Sequence, residues 1–177
     1  SPDGQRLLGL RGSDLLLYKF PDQALLNTFT AGDQCQVKEF HWHPRGDAFA
    51  YFEESAQQVH LYLVKLNGER KKIISFDQAK HGPSTISLEG LSCRVGWMAW
   101  ALQGEAVAVH TRTDEALRFY LVDLNGKILL EEKITEPLTF MRSPLASNDG
   151  RQIAFSLLGS SGENLWLWDL KNGHLRQ

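Results

Sequence analysis

The sequence predicts an all-β protein of about four repeated antiparallel meanders, each of four strands. Three observations predict it. FYLVDLNGKI at 119–128 nearly repeats LYLVKLNGER at 61–70, and looser copies, LLLYKFPDQAL and LWLWDLKNGHL, stand at 15–25 and 165–175. One slot in these copies holds Lys19, Lys65, Asp123 and Asp169, at intervals of 46, 58 and 46 residues. A period in that range marks a repeat architecture. Finally, Gly and Pro recur throughout, and no 3.6-residue apolar period persists over the length of a helix.

Each repeat opens on a turn. Ser1-Pro-Asp-Gly4 precedes QRLLGLRG, and His43-Pro-Arg-Gly46 precedes DAFAYFEE. Leu102-Gln-Gly-Glu105 precedes AVAVHTRT, and Ser147-Asn-Asp-Gly150 precedes RQIAFSLLG. Pro presets φ at such a corner, Asp or Asn bonds back to the backbone, and Gly accepts positive φ. The β-prone run after each turn reads as a strand. A polar hairpin leads to the LYLV-type strand. Asn67-Gly68, Asn125-Gly126 and Asn172-Gly173 then turn the chain into a last strand. The first two suit a type I′ turn directly. The fourth repeat, with Lys171 ahead of its Asn, predicts a longer turn.

VKEFHWH, RVGWMAWAL and LTFMRSPLA read as the leading strands of the second, third and fourth repeats. The first repeat begins at its turn and lacks that strand. The predicted repeats span 1–34, 35–76, 93–136 and 137–177. The 12 extra residues of the long interval fall in 77–92, a polar, Gly- and Pro-marked stretch read as an enlarged loop between repeats.

Repeated four-stranded meanders of this length resemble β-propeller blades. The specific likeness is to the TolB-like, or PD40, branch of the WD40-like propellers. There a Ser-Pro-Asp-Gly turn follows the innermost strand, and a "lyvvdl-G" strand comes after it. Ser1-Pro2-Asp3-Gly4, Ser147-Asn148-Asp149-Gly150 and Leu121-Val122-Asp123-Leu124 carry that pattern. His43-Pro44-Arg45-Gly46 keeps only the Pro and Gly, and Trp168-Asp169 is the single Trp-Asp pair, without a Gly-His partner. The resemblance implies a blade array belonging to a larger ring or to one completed by a second copy, with a closed four-bladed ring as the alternative. It also implies a periplasmic setting and a peptidoglycan-associated partner. TolB-like repeats occur in cytoplasmic proteins too, so the compartment stays open.

Composition narrows the function classes. The 177 residues are 42% apolar and 23% charged, with net charge -2, as expected of an ordinary globular chain. The balance predicts no domain-wide nucleic-acid footprint. No apolar run is long enough to span a bilayer as a helix. Cys35 and Cys93 form neither a metal-spaced pair nor a disulfide framework. His41 and His43 are two apart on a predicted strand and would share a face, but no third ligand stands nearby, so no metal and no cofactor are expected. No G-x-S-x-G elbow or phosphate-binding glycine motif is present. No catalytic residue is assigned.

A protein-interaction or scaffolding module without catalysis of its own fits these features. Two alternatives remain: an accessory propeller gating a larger peptidase or hydrolase, and a propeller binding a small ligand or glycan. The expected partner is another protein, further blades, or a second copy in a homodimer. The expected binding surface joins the 77–92 segment, with His81 and Pro83, to two hairpins carrying Glu53 and Glu54, and Arg112 and Asp114. His41, His43, Arg94 and Arg142 are the expected channel-facing residues. Asp123 and Asp169 are expected to support turns, and the five tryptophans to fill space between blades.

Overall fold

The computed structural model describes residues 1–77, 85–88, 91–94, 97–112, 116–135, 138–141, 144–159 and 162–177. The chain divides into two compact units, Ser1–Asp77 and Gln78–Gln177.

The first unit holds two sheets. β1 (Arg6–Arg11), β2 (Asp14–Lys19) and β3 (Leu25–Thr30) form a three-stranded antiparallel meander. β4 (Gln36–Trp42), β5 (Ala48–Glu54), β6 (Gln58–Lys65) and β7 (Arg70–Asp77) form a four-stranded one. Leu8, Leu15, Leu17 and Ala31 of the first sheet's chain pack on Val37, Phe49, Tyr51 and Val64 of the second. Phe49 sits at the centre, with Phe29 and Trp42 set edge-on to it at 5.2 and 5.9 Å between ring centres. Offset and edge-on rings of this kind add to what their buried area contributes.

The second unit repeats the plan. β10 (Met98–Ala101), β11 (Ala106–Arg112), β12 (Leu117–Asp123) and β13 (Ile128–Ile134) form one meander. β14 (Leu138–Met141), β16 (Gln152–Gly159), β17 (Gly162–Asp169) and β18 (His174–Arg176) form the next, with short β15 (Leu145–Ala146) also paired to β16. Trp97, Ala99, Ala108, Phe119 and Leu121 pack against Ile153, Phe155, Leu157 and Trp168. The rings of Phe119 and Phe155 stack at 4.9 Å. Trp166 and Trp168 share a face as expected, Trp168 fully buried and Trp166 partly so.

The four slot residues share one register. Arg6 pairs with Lys19, Ala48 with Lys65, Ala106 with Asp123, and Gln152 with Asp169. The sequence repeat is therefore a structural one, because pairing register decides which face each side chain takes. Each sheet has a leading face, carrying Leu7, Phe49, Val107 or Ile153, and a trailing face, carrying Leu8, Ala50, Ala108 or Ala154.

Three sequence expectations are corrected. The stretch 77–92 is not loop throughout: Asp77 ends β7, and β8 (Thr85–Leu88) pairs with β9 (Leu91–Arg94). RVGWMAWAL and LTFMRSPLA are not continuous strands, since β9 ends at Arg94 where β10 begins at Met98, and Pro144 precedes a separate β15. Proline lacks the N–H that a continuous ladder needs. The Asn-Gly turns are not type I′ either, because only the glycines have positive φ, +92° at Gly68 and +86° at Gly126. Gly126 N–H bonds to the Asp123 carbonyl at 3.0 Å and Asp123 N–H to the Lys127 carbonyl at 2.9 Å. That is a three-residue turn with a bulge. The Asp123 carboxylate accepts from Asn125 and Lys127 N–H at 2.8 and 2.9 Å, which favours the longer turn.

Candidate interaction surface

The second sheet brings its chemistry to the end where β5 passes into β6. Ser55 organises that hairpin. Its hydroxyl oxygen accepts from Gln57 and Gln58 N–H at 3.4 and 3.1 Å, while Ser55 N–H donates to the Gln58 carbonyl at 2.9 Å. Ala56, Gln57 and Gln58 are left exposed at the tip. Side chains that bond locally to backbone hold such a tip in one shape.

Behind the tip lies a buried ion pair. Glu53 is 3% exposed. Its Oε2 pairs with the Arg70 guanidinium and lies 3.4 Å from the Tyr51 hydroxyl. Arg70 lies over the Tyr62 ring at 3.6 Å and reaches Tyr51 at 5.4 Å. Tyr51 and Tyr62 are themselves stacked, at 5.5 Å. A buried carboxylate requires a partner of this quality, and the stacked rings hold the cation's planar fork in place. Burial, ahead of the neighbouring charges, pushes the Tyr51 phenol well above its usual range. The Cys35 thiol touches the same carboxylate and is raised by burial first and by Glu53's charge second. Cys35 is a free cysteine.

Glu53, read from sequence as a contact residue, is buried within the sheet. Glu54 is half-buried and meets Lys38 at 3.3 Å, and Lys38 Nζ also donates to Gln36 Oε1 at 2.8 Å. His60 bonds to the Ser75 hydroxyl at 2.8 Å. Burial, followed by the charge of Lys72, lowers the pKa of this histidine. His81, Pro83 and Asp114 lie outside the described residues, as do the side chains of Arg112, Arg94 and Arg142. Sequence reasoning missed Arg70, Tyr51 and Tyr62. A cross-strand alignment of AFAYFEE with LYLVKL sets the two tyrosines opposite each other and could have found them.

His41 and His43 sit in different surroundings. His41 is exposed and pairs with Glu39 at 2.8 Å. His43 lies past the end of β4, buried in the corner, where its Nδ1 accepts from Arg45 N–H at 3.2 Å and faces Asp47 at 3.0 Å. Among the described residues no three His, Cys, Asp or Glu side chains gather to hold a metal. No described helix is long and apolar enough to cross a membrane.

The corners themselves are a repeated device. Ser147 Oγ donates to Asp149 at 2.6 Å and accepts from Gln152 N–H at 3.0 Å, and Asp149 accepts from Arg151 N–H at 3.1 Å. Ser1, Asp3, Gln5 and Arg6 repeat that pattern. The serine hydroxyl, ahead of the backbone N–H, holds both Asp3 and Asp149 below the usual carboxylate range. Asp169 supports its turn as expected, accepting from Lys171 N–H at 2.9 Å.

No protein-family model matches the sequence, and no curated protein matches it either. Solved structures do share its architecture. TolB from Acinetobacter baumannii is similar at 14% identity and a TM-score of 0.66, over 98% of this chain and 41% of that one. Hydrazine synthase from Kuenenia stuttgartiensis is similar at 13% identity and 0.70, over 99% of this chain and 51% of that one. A periplasmic gluconolactonase from Pseudomonas aeruginosa is similar at 18% and 0.60, over 100% of this chain and 50% of that one. This chain therefore spans about half or less of each. Likeness at this identity speaks for fold and not for activity. What it shows is that the antiparallel meanders of this chain resemble part of the TolB fold.

Proposed function

We propose that the chain is a β-propeller module for protein interaction or scaffolding, with blades at 1–34, 35–76, 93–136 and 137–177, and that it performs no catalysis of its own. The observation that carries this reading is the hairpin at 54–58. Its exposed tip is tied down by Ser55 and backed by a buried ion pair. A rigid tip loses little conformational entropy when a partner binds.

The proposed contact surface is Ala56, Gln57 and Gln58, with Glu54 at its rim and with His81, Pro83, Arg112 and Asp114 as further contributors. Glu53 supports it from within. His41 and His43, with Arg94 and Arg142, remain the proposed channel-side residues.

Site-specific photo-crosslinking in the native host tests this. A crosslinking residue at Gln57 is expected to capture a discrete protein, whereas one at Asn67, at the opposite end of β6, captures little. Equal capture at both positions, or capture only at Asn67, would refute the assignment.

A further inference from the structure

One sheet departs from its siblings in where its last pairing slips. In the first sheet the register shifts between Leu17 and Tyr18, and in the third between Leu121 and Val122. Both places lie just before the slot residue, Lys19 or Asp123. In the second sheet the shift falls between Leu61 and Tyr62, two residues farther from Lys65. That displacement changes the side on which one residue emerges. In the third sheet Leu130, seven residues after Asp123, pairs with Leu121 and packs on the core. Lys72, seven residues after Lys65, pairs with Tyr62 instead and so stands on the leading face. Bulges re-aim side chains in this way.

Lys72 joins a polar, aromatic face. His60 and Tyr62 stand there on β6, and Ser75 stands opposite His60 on β7. His60 Nδ1 and the Ser75 hydroxyl are bonded at 2.8 Å. Tyr62 is set edge-on to His60 at 6.0 Å, and the Arg70 guanidinium covers the Tyr62 ring at 3.6 Å. Lys72 and Ser75 are exposed, and His60 and Tyr62 are half-buried. Glu53 takes the charge of Arg70, and Glu69 that of Lys65. Among the described residues no carboxylate pairs with Lys72, so it is the unbalanced cation of this face. Burial first, and the Lys72 charge second, lower the pKa of His60. The ring therefore sits in a net positive potential. An edge lysine alone serves to repel a further strand; the displaced bulge and the His60–Ser75 pair are what this one adds.

We propose that Lys72, His60 and Ser75, with Arg70 and Tyr62 beside them, bind the phosphate group of a small anionic ligand. Lysine meets phosphate as a compact charge with three donors. When the serine hydroxyl donates to Nδ1, the neutral imidazole carries its proton on Nε2 and offers one donor more. Phosphate has oxygens enough for both, and its charge balances the cation that the sheet leaves uncompensated. The exposed tip at 56–58 takes no part, so this inference and the proposed function fail separately.

The His60 ring reports on this site by NMR. At constant ionic strength, inorganic phosphate is expected to raise its titration midpoint saturably, because a nearby anion favours the charged imidazole. Lys72→Gln is expected to weaken binding about tenfold, and Lys72→Arg, which keeps the charge, to retain most of it. Lys71→Gln is the control: Lys71 pairs with Leu63 on the opposite face, and its loss is expected to leave binding unchanged. Glycerol phosphate, run beside inorganic phosphate, identifies the source. Tighter binding of the ester assigns the site to a phosphate ester, and tighter binding of the ion assigns it to free phosphate. A midpoint unmoved at about 10 mM phosphate, where a site with a Kd of about 1 mM would be about nine-tenths filled, overturns the proposal. So does equal weakening by Lys71→Gln and Lys72→Gln, or the same saturable shift with acetate.

Discussion

Replacing Gly150 by Ala should be far more damaging than the same change at Gly4, although both glycines occupy the same slot of the repeat. Both have positive φ, +65° and +69°, where a β-carbon costs about 1–2 kcal/mol. The loss of chain freedom in the unfolded state is also common to both and cancels in the comparison. Their surroundings differ. A β-carbon on Gly4 would meet nothing within 4 Å, whereas one on Gly150 would lie 2.7 Å from Leu102 N and 2.8 Å from Gln103 N. Those atoms belong to backbone that cannot swing aside. Leu102, Gln103 and Gly104 have φ of +49°, +57° and +95°. Leu102 N–H also donates to the Gly150 carbonyl at 2.8 Å. Separating the two segments loses that bond, about 1 kcal/mol, and adds an overpacking cost of about 1–3 kcal/mol. Gly150→Ala is therefore expected to destabilise by about 3–6 kcal/mol, against about 1–2 kcal/mol for Gly4→Ala. Urea unfolding followed by far-ultraviolet circular dichroism measures both. Equal shifts in midpoint at unchanged slope would refute the close approach of the two corners.

Arg70→Ala leaves Glu53 buried without its cation and should cost about 2–4 kcal/mol, somewhat less than for a fully buried pair because Arg70 keeps some contact with water; a thermal shift equivalent to under about 0.5 kcal/mol would contradict the pairing. Ser147→Ala removes a donor to Asp149 and an acceptor for Gln152 N–H, and should cost about 1 kcal/mol at neutral pH. Asp149's folded pKa lies below its unfolded one. Its contribution is therefore present above the unfolded value and lost as pH falls through the folded one. The variant should show a shallower acid limb between those values, and an unchanged limb would argue against the serine bond. His60 should titrate by NMR with a midpoint below the usual value of about 6.5, since burial disfavours its charged form. Protonating it should cost stability as pH falls below that usual value. A midpoint at or above the usual value would place the ring in water.

The local pattern was largely legible in the sequence. The LYLV strands, the Ser-Pro-Asp-Gly corners and the carboxylates supporting turns rest on nearest-neighbour rules: pairing alternates, serine and aspartate bond back to nearby N–H groups, and glycine takes positive φ. The slot residues Lys19, Lys65, Asp123 and Asp169 carried the register in plain view, because a repeated hairpin repeats its pairing. What sequence reasoning misjudged were competitions between local preferences. Asn125-Gly126 alone favours a two-residue turn, but the Asp123 carboxylate, two residues upstream, offers its bonds only to a longer one. Only tertiary structure decided which faces meet. Glu53 and Glu54 are adjacent and chemically alike, so no sequence rule separates them. The period of two sends Glu53 into the sheet beneath Arg70 and leaves Glu54 at the rim with Lys38. Burial is set by the neighbour that packs on a face, and that neighbour is far away along the chain.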